Sequence, residues 1–185
     1  MPRVHPSLLF IVFAAACGAS RAGTETTVTP VTTSLISNAG TMNVGVAASY
    51  TAIATSVPVR PDSAYKLLQA AYAKLEIPVS QQDPKVRSTG NDGLKVRRRI
   101  AGLTMQSVLD CGDKMGLQNA ETWDIFLNIL SFVQADGPDG STISTRIQAT
   151  GHDPAVSDRE GIPCGTKGEL ETKIGNTVKL LSVKK

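Results

Sequence analysis

The chain has 185 residues, 41% of them hydrophobic, with 19 Lys and Arg against 16 Asp and Glu and a formal net charge of +3. A basic excess this small releases few counterions from a nucleic-acid backbone, which argues against a dedicated nucleic-acid-binding protein. Aromatic residues make up only 4% of the chain, so a core must be built mainly from Leu, Ile, Val and Ala, and the length suits a single domain.

In chain order, Arg3 precedes the apolar run Leu8–Ala16, and Cys17 follows at once, with Gly18-Ala19-Ser20 behind it. The run is too short to span a bilayer. Small residues around the cysteine let a peptidase grip an extended backbone, and the whole pattern resembles the signal of bacterial lipoproteins. The resemblance implies cleavage after residue 16, acylation of the Cys17 sulfur, and a protein held by lipid in the bacterial cell envelope. Gly18, where an aspartate would signal retention, is similar to outer-membrane sorting signals, with the domain facing the periplasm. Ala14 stands where that family usually has Leu. A second reading therefore stays open, in which an ordinary signal peptidase reads Ala14-x-Ala16 and releases a soluble protein.

Three cysteines are an odd number for an exported chain. With Cys17 acylated, Cys111 and Cys164 remain as a pair in an oxidising compartment. A bridge between them would close a long loop, worth about 4 kcal/mol by chain entropy. The alternative is two buried reduced thiols, which spacing alone does not exclude.

From Gly18 to Val59 the only charged residues are Arg21 and Glu25, among many Thr, Ser, Ala, Val and Gly. Such a stretch buries little and reads as a flexible tether over 17–42, after the signal peptide 1–16 and before a single domain over 43–185. Thr51, Ile53, Thr55 and Val57 alternate as in a first strand. Pro61 then stops the strand, and Asp62 is placed to cap a helix. Its apolar stripe is Ala64, Leu67, Leu68, Ala71, Tyr72 and Leu75, ended at Glu76-Ile77-Pro78. Short strands are expected at Ile77–Val79 and Lys85–Thr89, with a turn at Asn91-Asp92-Gly93.

Lys95, Arg97, Arg98 and Arg99 are the densest charge cluster, flanked by Leu94, Val96 and Ile100. Clustered guanidinium groups bind planar oxyanions, so phosphate or anionic-lipid contact is one reading. The other is a strand with Lys95, Arg97 and Arg99 on a solvated face, favoured because four cations are few for a stand-alone electrostatic site.

The clearest strands form a hairpin. Trp123, Ile125, Leu127, Ile129 and Val133 share one face, and Phe126, Leu130 and Phe132 share the other with Asp124, Asn128 and Gln134, so this strand is expected to be central with apolar contacts on both sides. Asp136–Gly140 is a loop, and Ile143, Thr145, Ile147 and Ala149 form the dry face of the return strand. A sheet with an apolar face needs a cover. The last helix supplies it, with Thr166 and Glu169 as a capping box, a stripe of Leu170, Ile174, Val178 and Leu181, and Lys179, Lys184 and Lys185 toward its C-terminal end. Gly168 and Gly175 each weaken a helix by about 1 kcal/mol and would permit close packing on the sheet.

The fold class expected is therefore α+β, an antiparallel sheet covered by a long C-terminal helix and a second, N-terminal helix. That order resembles helix-grip domains, including the BamC-type accessory lipoproteins of the outer-membrane barrel-assembly machinery. The segment Cys164-Gly165-Thr166-Lys167-Gly168-Glu169-Leu170-Glu171 is also similar to a family of small bacterial lipoproteins.

Catalytic and metal constellations are sparse. His5 would leave with the signal peptide, and His152 stands alone in a Gly151-His152-Asp153-Pro154 loop without a Gly-x-Ser-x-Gly elbow elsewhere, so it reads as an exposed loop residue. Cys111, Cys164 and His152 lack the close pairing of zinc ligands. Asp136, Asp139, Asp153, Asp158 and Glu160 do not match the twelve-residue calcium loop. Gly161, Gly165 and Gly168 lack a phosphate-cradling context. No cofactor or metal is expected, and no catalytic residue is assigned. The expected function is a non-enzymatic envelope lipoprotein acting as an accessory or interaction module, with an envelope protein as possible partner. The alternative is a helix-grip cavity for a lipid or other apolar ligand.

Overall fold

The computed structural model describes residues 31–37, 40–46, 52–114, 116–156 and 161–183. Cys17 and the signal segment lie outside them, as does Thr51 of the expected first strand. Within the stretch read as a tether, β1 (Val31–Ser37) and β2 (Gly40–Val46) pair as an antiparallel hairpin. Their Val, Thr and Ile content is what a pleated strand accommodates.

The remaining elements follow as β3 (Ile53–Val57), α1 (Pro61–Lys74), β4 (Gln81–Asp83), β5 (Ser88–Val96), β6 (Arg99–Ile100), β7 (Leu103–Thr104), α2 (Met105–Val108) and β8 (Leu109–Asp110). After them come β9 (Asp113–Lys114), β10 (Leu117–Gln118), α3 (Asn119–Thr122), β11 (Asp124–Asp136), β12 (Gly140–His152), β13 (Ile162–Thr166) and α4 (Glu169–Val183). The fold is α+β. Its main sheet runs β4-β5-β11-β12-β13-β8, all antiparallel, and β12 is long enough that its outer edge is shared, β3 pairing near Gly140 and β13 near His152.

The central hairpin β11–β12 pairs in register from Asp124↔His152 to Asp136↔Gly140. Ile125, Leu127, Ile129 and Val133 on β11, with Ile143, Ile147 and Ala149 on β12, are buried on one face, as the alternation predicts. Helices α1 and α4 cover that face with Ala64, Leu68, Ala71 and Tyr72 and with Leu170, Ile174 and Val178. Burying a Leu or Ile of this set contributes roughly 1.5–3 kcal/mol relative to leaving it exposed. Helix α4 approaches β3 closely because residue 175 has no side chain. A Cβ there would lie 2.7 Å from Thr55 Cβ.

Several local expectations are corrected. Arg60, not Asp62, is the residue before α1, with Pro61 opening the helix; Asp62 sits in the first turn and pairs with Arg87 at 2.7 Å. Ile77–Val79 is not a strand; Ile77 is buried, and the edge strand is β4. The strand expected at Lys85–Thr89 begins at Ser88 and runs straight through Asn91-Asp92-Gly93. That triplet is a bulge rather than a turn. The register with β11 shifts between Leu127 and Ile129, Gly93 takes φ +77°, and the Asn128 side-chain carbonyl accepts the Gly93 N–H at 2.7 Å.

Polar groups also interrupt the buried face. Thr89, Ser131 and Thr145 lie on neighbouring strands, with Thr89↔Ser131 and Ser131↔Thr145 in register. Tyr72 reaches down from α1, its hydroxyl 2.8 Å from Ser131 Oγ, which is 2.7 Å from Thr145 Oγ1. The hydroxyls of Tyr72, Ser131 and Thr145 satisfy one another where water is excluded, whereas the Thr89 hydroxyl has no hydrogen-bond partner among the described residues.

Candidate functional site

Cys111 and Cys164 are bridged, with Cα atoms 4.4 Å apart. The bridge ties β8 to the strand that leads into α4, where backbone pairing is confined to Gly165↔Asp110 and Thr166↔Leu109. It packs against the start of the hairpin. A Cβ on Gly151 would lie 2.8 Å from the Trp123 ring and 3.2 Å from Cys164 Sγ, so the absent side chain makes room for both.

The basic cluster does not form one solvated strand face. Lys95 is the penultimate residue of β5 on the sheet, the chain reverses at Arg98 in the left-handed conformation (φ 69°), and Arg99 starts the β6–β7 hairpin. This reversal folds the cations around an open groove of about 470 Å³ lined by Lys95, Arg97 and Arg99, with Pro78, Leu94 and Ile100 among its apolar walls. Glu76 also lines it. Arg98 is exposed but does not line it. Asp124 is shared by Lys95 at 3.0 Å and Arg97 at 3.9 Å, whereas Arg98 and Arg99 have no ion-pair partner among the described residues. Such exposed pairs contribute about 0–1 kcal/mol each, so they orient the cations more than they stabilise the fold.

Backbone strain gathers at the same place. Four non-glycine residues among those described have positive φ, and three of them, Glu76 (56°), Arg98 (69°) and Ala101 (50°), belong to the groove or its turn. Each such conformation costs about 1–2 kcal/mol, which packing elsewhere must offset.

Beside the groove lies the second face of β11, and here the expectation of apolar contacts on both sides is corrected. Phe126 is 36% exposed, and Leu130 and Phe132 are half-buried; no helix among the described residues covers them. Lys95 Nζ stands 5.8 Å from the Phe126 ring centroid, and the His152 ring meets Phe126 edge-on at 5.2 Å. Arg146 lies opposite Leu130. The sheet thus presents an aromatic and aliphatic stripe edged by cations.

His152 is half-buried at the end of β12, not an exposed loop residue, and no side chain among the described residues hydrogen-bonds to its ring. Of the acidic run, Asp136 accepts the hydroxyls of Ser56 (3.3 Å) and Thr142 (3.2 Å), and Asp153 pairs with Lys114 at 3.3 Å. Asp158 and Glu160 lie outside the described residues. Among the described residues no three His, Cys, Asp or Glu side chains are grouped to hold a metal ion, and no helix is long and apolar enough to cross a membrane.

The entrance of α4 holds a residue that the periodicity did not single out. Thr166 pairs with Glu171, not with Glu169. Its hydroxyl accepts the Gly168 N–H at 3.1 Å and donates to Glu171 Oε1 at 2.6 Å. Glu171 is 1% exposed, and its other oxygen has no hydrogen-bond partner among the described residues. Burial raises its carboxyl above the ordinary value of 4.5, opposed by the Thr166 hydrogen bond. A raised folded-state value means the neutral carboxyl's contribution is complete below the unfolded value and is lost as pH rises through the folded one. Glu171→Gln is therefore expected to raise the urea midpoint at neutral pH, with the gain shrinking as pH falls toward 4.5. Parallel urea titrations of the two chains across that range check it, and a variant less stable at neutral pH contradicts it.

Comparison with known protein families finds no match for this chain, and comparison with curated proteins finds none either.

Proposed function

We propose that this chain is a non-enzymatic cell-envelope lipoprotein, anchored through acylated Cys17, that works as an accessory or interaction module through the open face of its sheet. The observation that carries this reading is the contrast between the two faces of β11. One is packed solid beneath α1 and α4, and the other leaves Phe126 exposed and Leu130 and Phe132 half-buried, with no helix over them among the described residues. A stripe of exposed and half-buried apolar side chains rimmed by charge is what a partner surface offers. A lipid chamber between helices and sheet has less support, since Leu68, Tyr72, Leu170, Ile174 and Val178 fill that space at 0% exposure.

The test is a photo-crosslinking amino acid placed at Leu130 or Phe132 in cells, with Lys66 on the exposed side of α1 as control. A discrete envelope-protein adduct from β11 and none from Lys66 is expected. Identical background from all three positions would show that the open face holds no partner.

A further inference from the structure

We propose that the groove lined by Lys95, Arg97 and Arg99 receives the phosphate of an anionic phospholipid headgroup, so that this edge of the domain lies on the membrane surface. The inference rests on the envelope-lipoprotein reading, because it assumes a bilayer within reach. It adds a second, non-covalent contact, separate from the acyl anchor and adjoining the open face of β11 at Phe126.

Three observations carry it. First, the lining combines three cations and one carboxylate, Glu76, with the apolar Pro78, Leu94 and Ile100, a cationic excess beside apolar surface that suits an anionic headgroup joined to apolar chain. Second, the charges are not internally cancelled. Asp124 answers Lys95 and Arg97, while Arg99 keeps its full guanidinium free among the described residues, as does Arg98 just outside the groove. A planar guanidinium without a carboxylate is open to fork-like contact with phosphate oxygens. Third, apolar side chains flank the cations. Val79, next to Pro78, is 38% exposed, and Phe126, beneath Lys95, is 36% exposed. Exposed apolar groups among cations are the arrangement that settles into the headgroup boundary of an anionic bilayer.

The experiment uses the full chain carrying Cys17→Ser and vesicles of either pure phosphatidylcholine or equimolar phosphatidylcholine and phosphatidylglycerol, with co-sedimentation as readout. The apolar run Leu8–Ala16 contributes to both vesicles alike, so the preference for phosphatidylglycerol isolates the charged contact. Each basic side chain near an anionic surface strengthens binding roughly fivefold. A preference of about tenfold or more is expected, falling as salt is raised. Arg97→Glu with Arg99→Glu should abolish it. Arg99→Gln, a change at an exposed and unpaired side chain that folding tolerates, should lower it roughly fivefold. Arg98→Glu should lower it by less than Arg99→Glu does.

Equal binding to both vesicles overturns the proposal. So does a preference that survives the double charge reversal in a chain whose circular dichroism is unchanged, or an Arg98→Glu loss equal to that of Arg99→Glu, which would mark diffuse charge rather than a groove. Displacement by millimolar inorganic phosphate would assign the groove to a free anion instead, and binding to an acidic protein with none to phosphatidylglycerol would assign it to a partner chain. Each of these leaves the lipoprotein reading intact, because that reading is judged separately by acyl mass on Cys17.

Discussion

Replacing both Cys111 and Cys164 with alanine is expected to lower the unfolding free energy by about 2–4 kcal/mol. The bridge spans a sequence separation of 53 and encloses α3, the whole central hairpin and the start of β13, so its removal restores much conformational freedom to the unfolded chain. The native state has little to replace it with locally. Between Arg99 and Thr122 the strands are two residues long and the helices four, and these pieces are held by Met105, Val108, Leu109 and Ala120 packing at 0% exposure. Hydrogen exchange should accelerate most in this segment and in the first turn of α4. Urea denaturation of oxidised, reduced and double-alanine chains makes the comparison, with coincident midpoints as the contradicting result.

The second large effect is alkaline unfolding through Tyr72. Burial pushes its phenol up from 10.0 to about 12, with the Ser131 hydrogen bond acting in the opposite direction. The neutral phenol's contribution is thus complete below pH 10 and is lost as pH rises through about 12. A displacement of that size corresponds to roughly 3 kcal/mol at the alkaline end. Tyr72→Phe should flatten this limb while lowering stability near neutral pH by about 1 kcal/mol, since Ser131 keeps its bond to Thr145. Thermal melts of both chains between neutral pH and pH 12 test the sign, and an unchanged alkaline limb in the variant removes Tyr72 from it.

What periodicity could reach in this sequence was the apolar framework. The stripe of α1, the alternation of β11 and β12, and Leu170, Ile174 and Val178 on α4 all describe faces whose burial depends on spacing alone. Chemistry that depends on pairing across distance was less legible. Ser131 breaks the apolar alternation of β11, and its meaning is visible only with Tyr72 overhead, a residue whose ring suits an apolar stripe while its hydroxyl needs a partner. Asn91-Asp92-Gly93 has turn composition, yet a bulge satisfies the same left-handed glycine without reversing the chain. The basic cluster was visible as charge. Its groove was not, because it depends on a reversal at Arg98, a residue type with no special preference for positive φ. Glu171 escaped notice because Glu169 stands at the usual capping-box spacing from Thr166. The helix instead begins one residue after Gly168, so Glu171 is the carboxylate turned toward the threonine.

The Cys17 reading is of a different kind, resting on a local signal that no packing argument touches. Its most direct test is the intact mass of the mature N-terminal peptide, recovered from envelopes of bacteria expressing the chain. The expected peptide begins at Cys17 and carries diacylglyceryl and acyl mass, with Cys17→Ser chains left unprocessed or released from the membrane. A soluble mature protein whose N-terminal peptide is unmodified would contradict it.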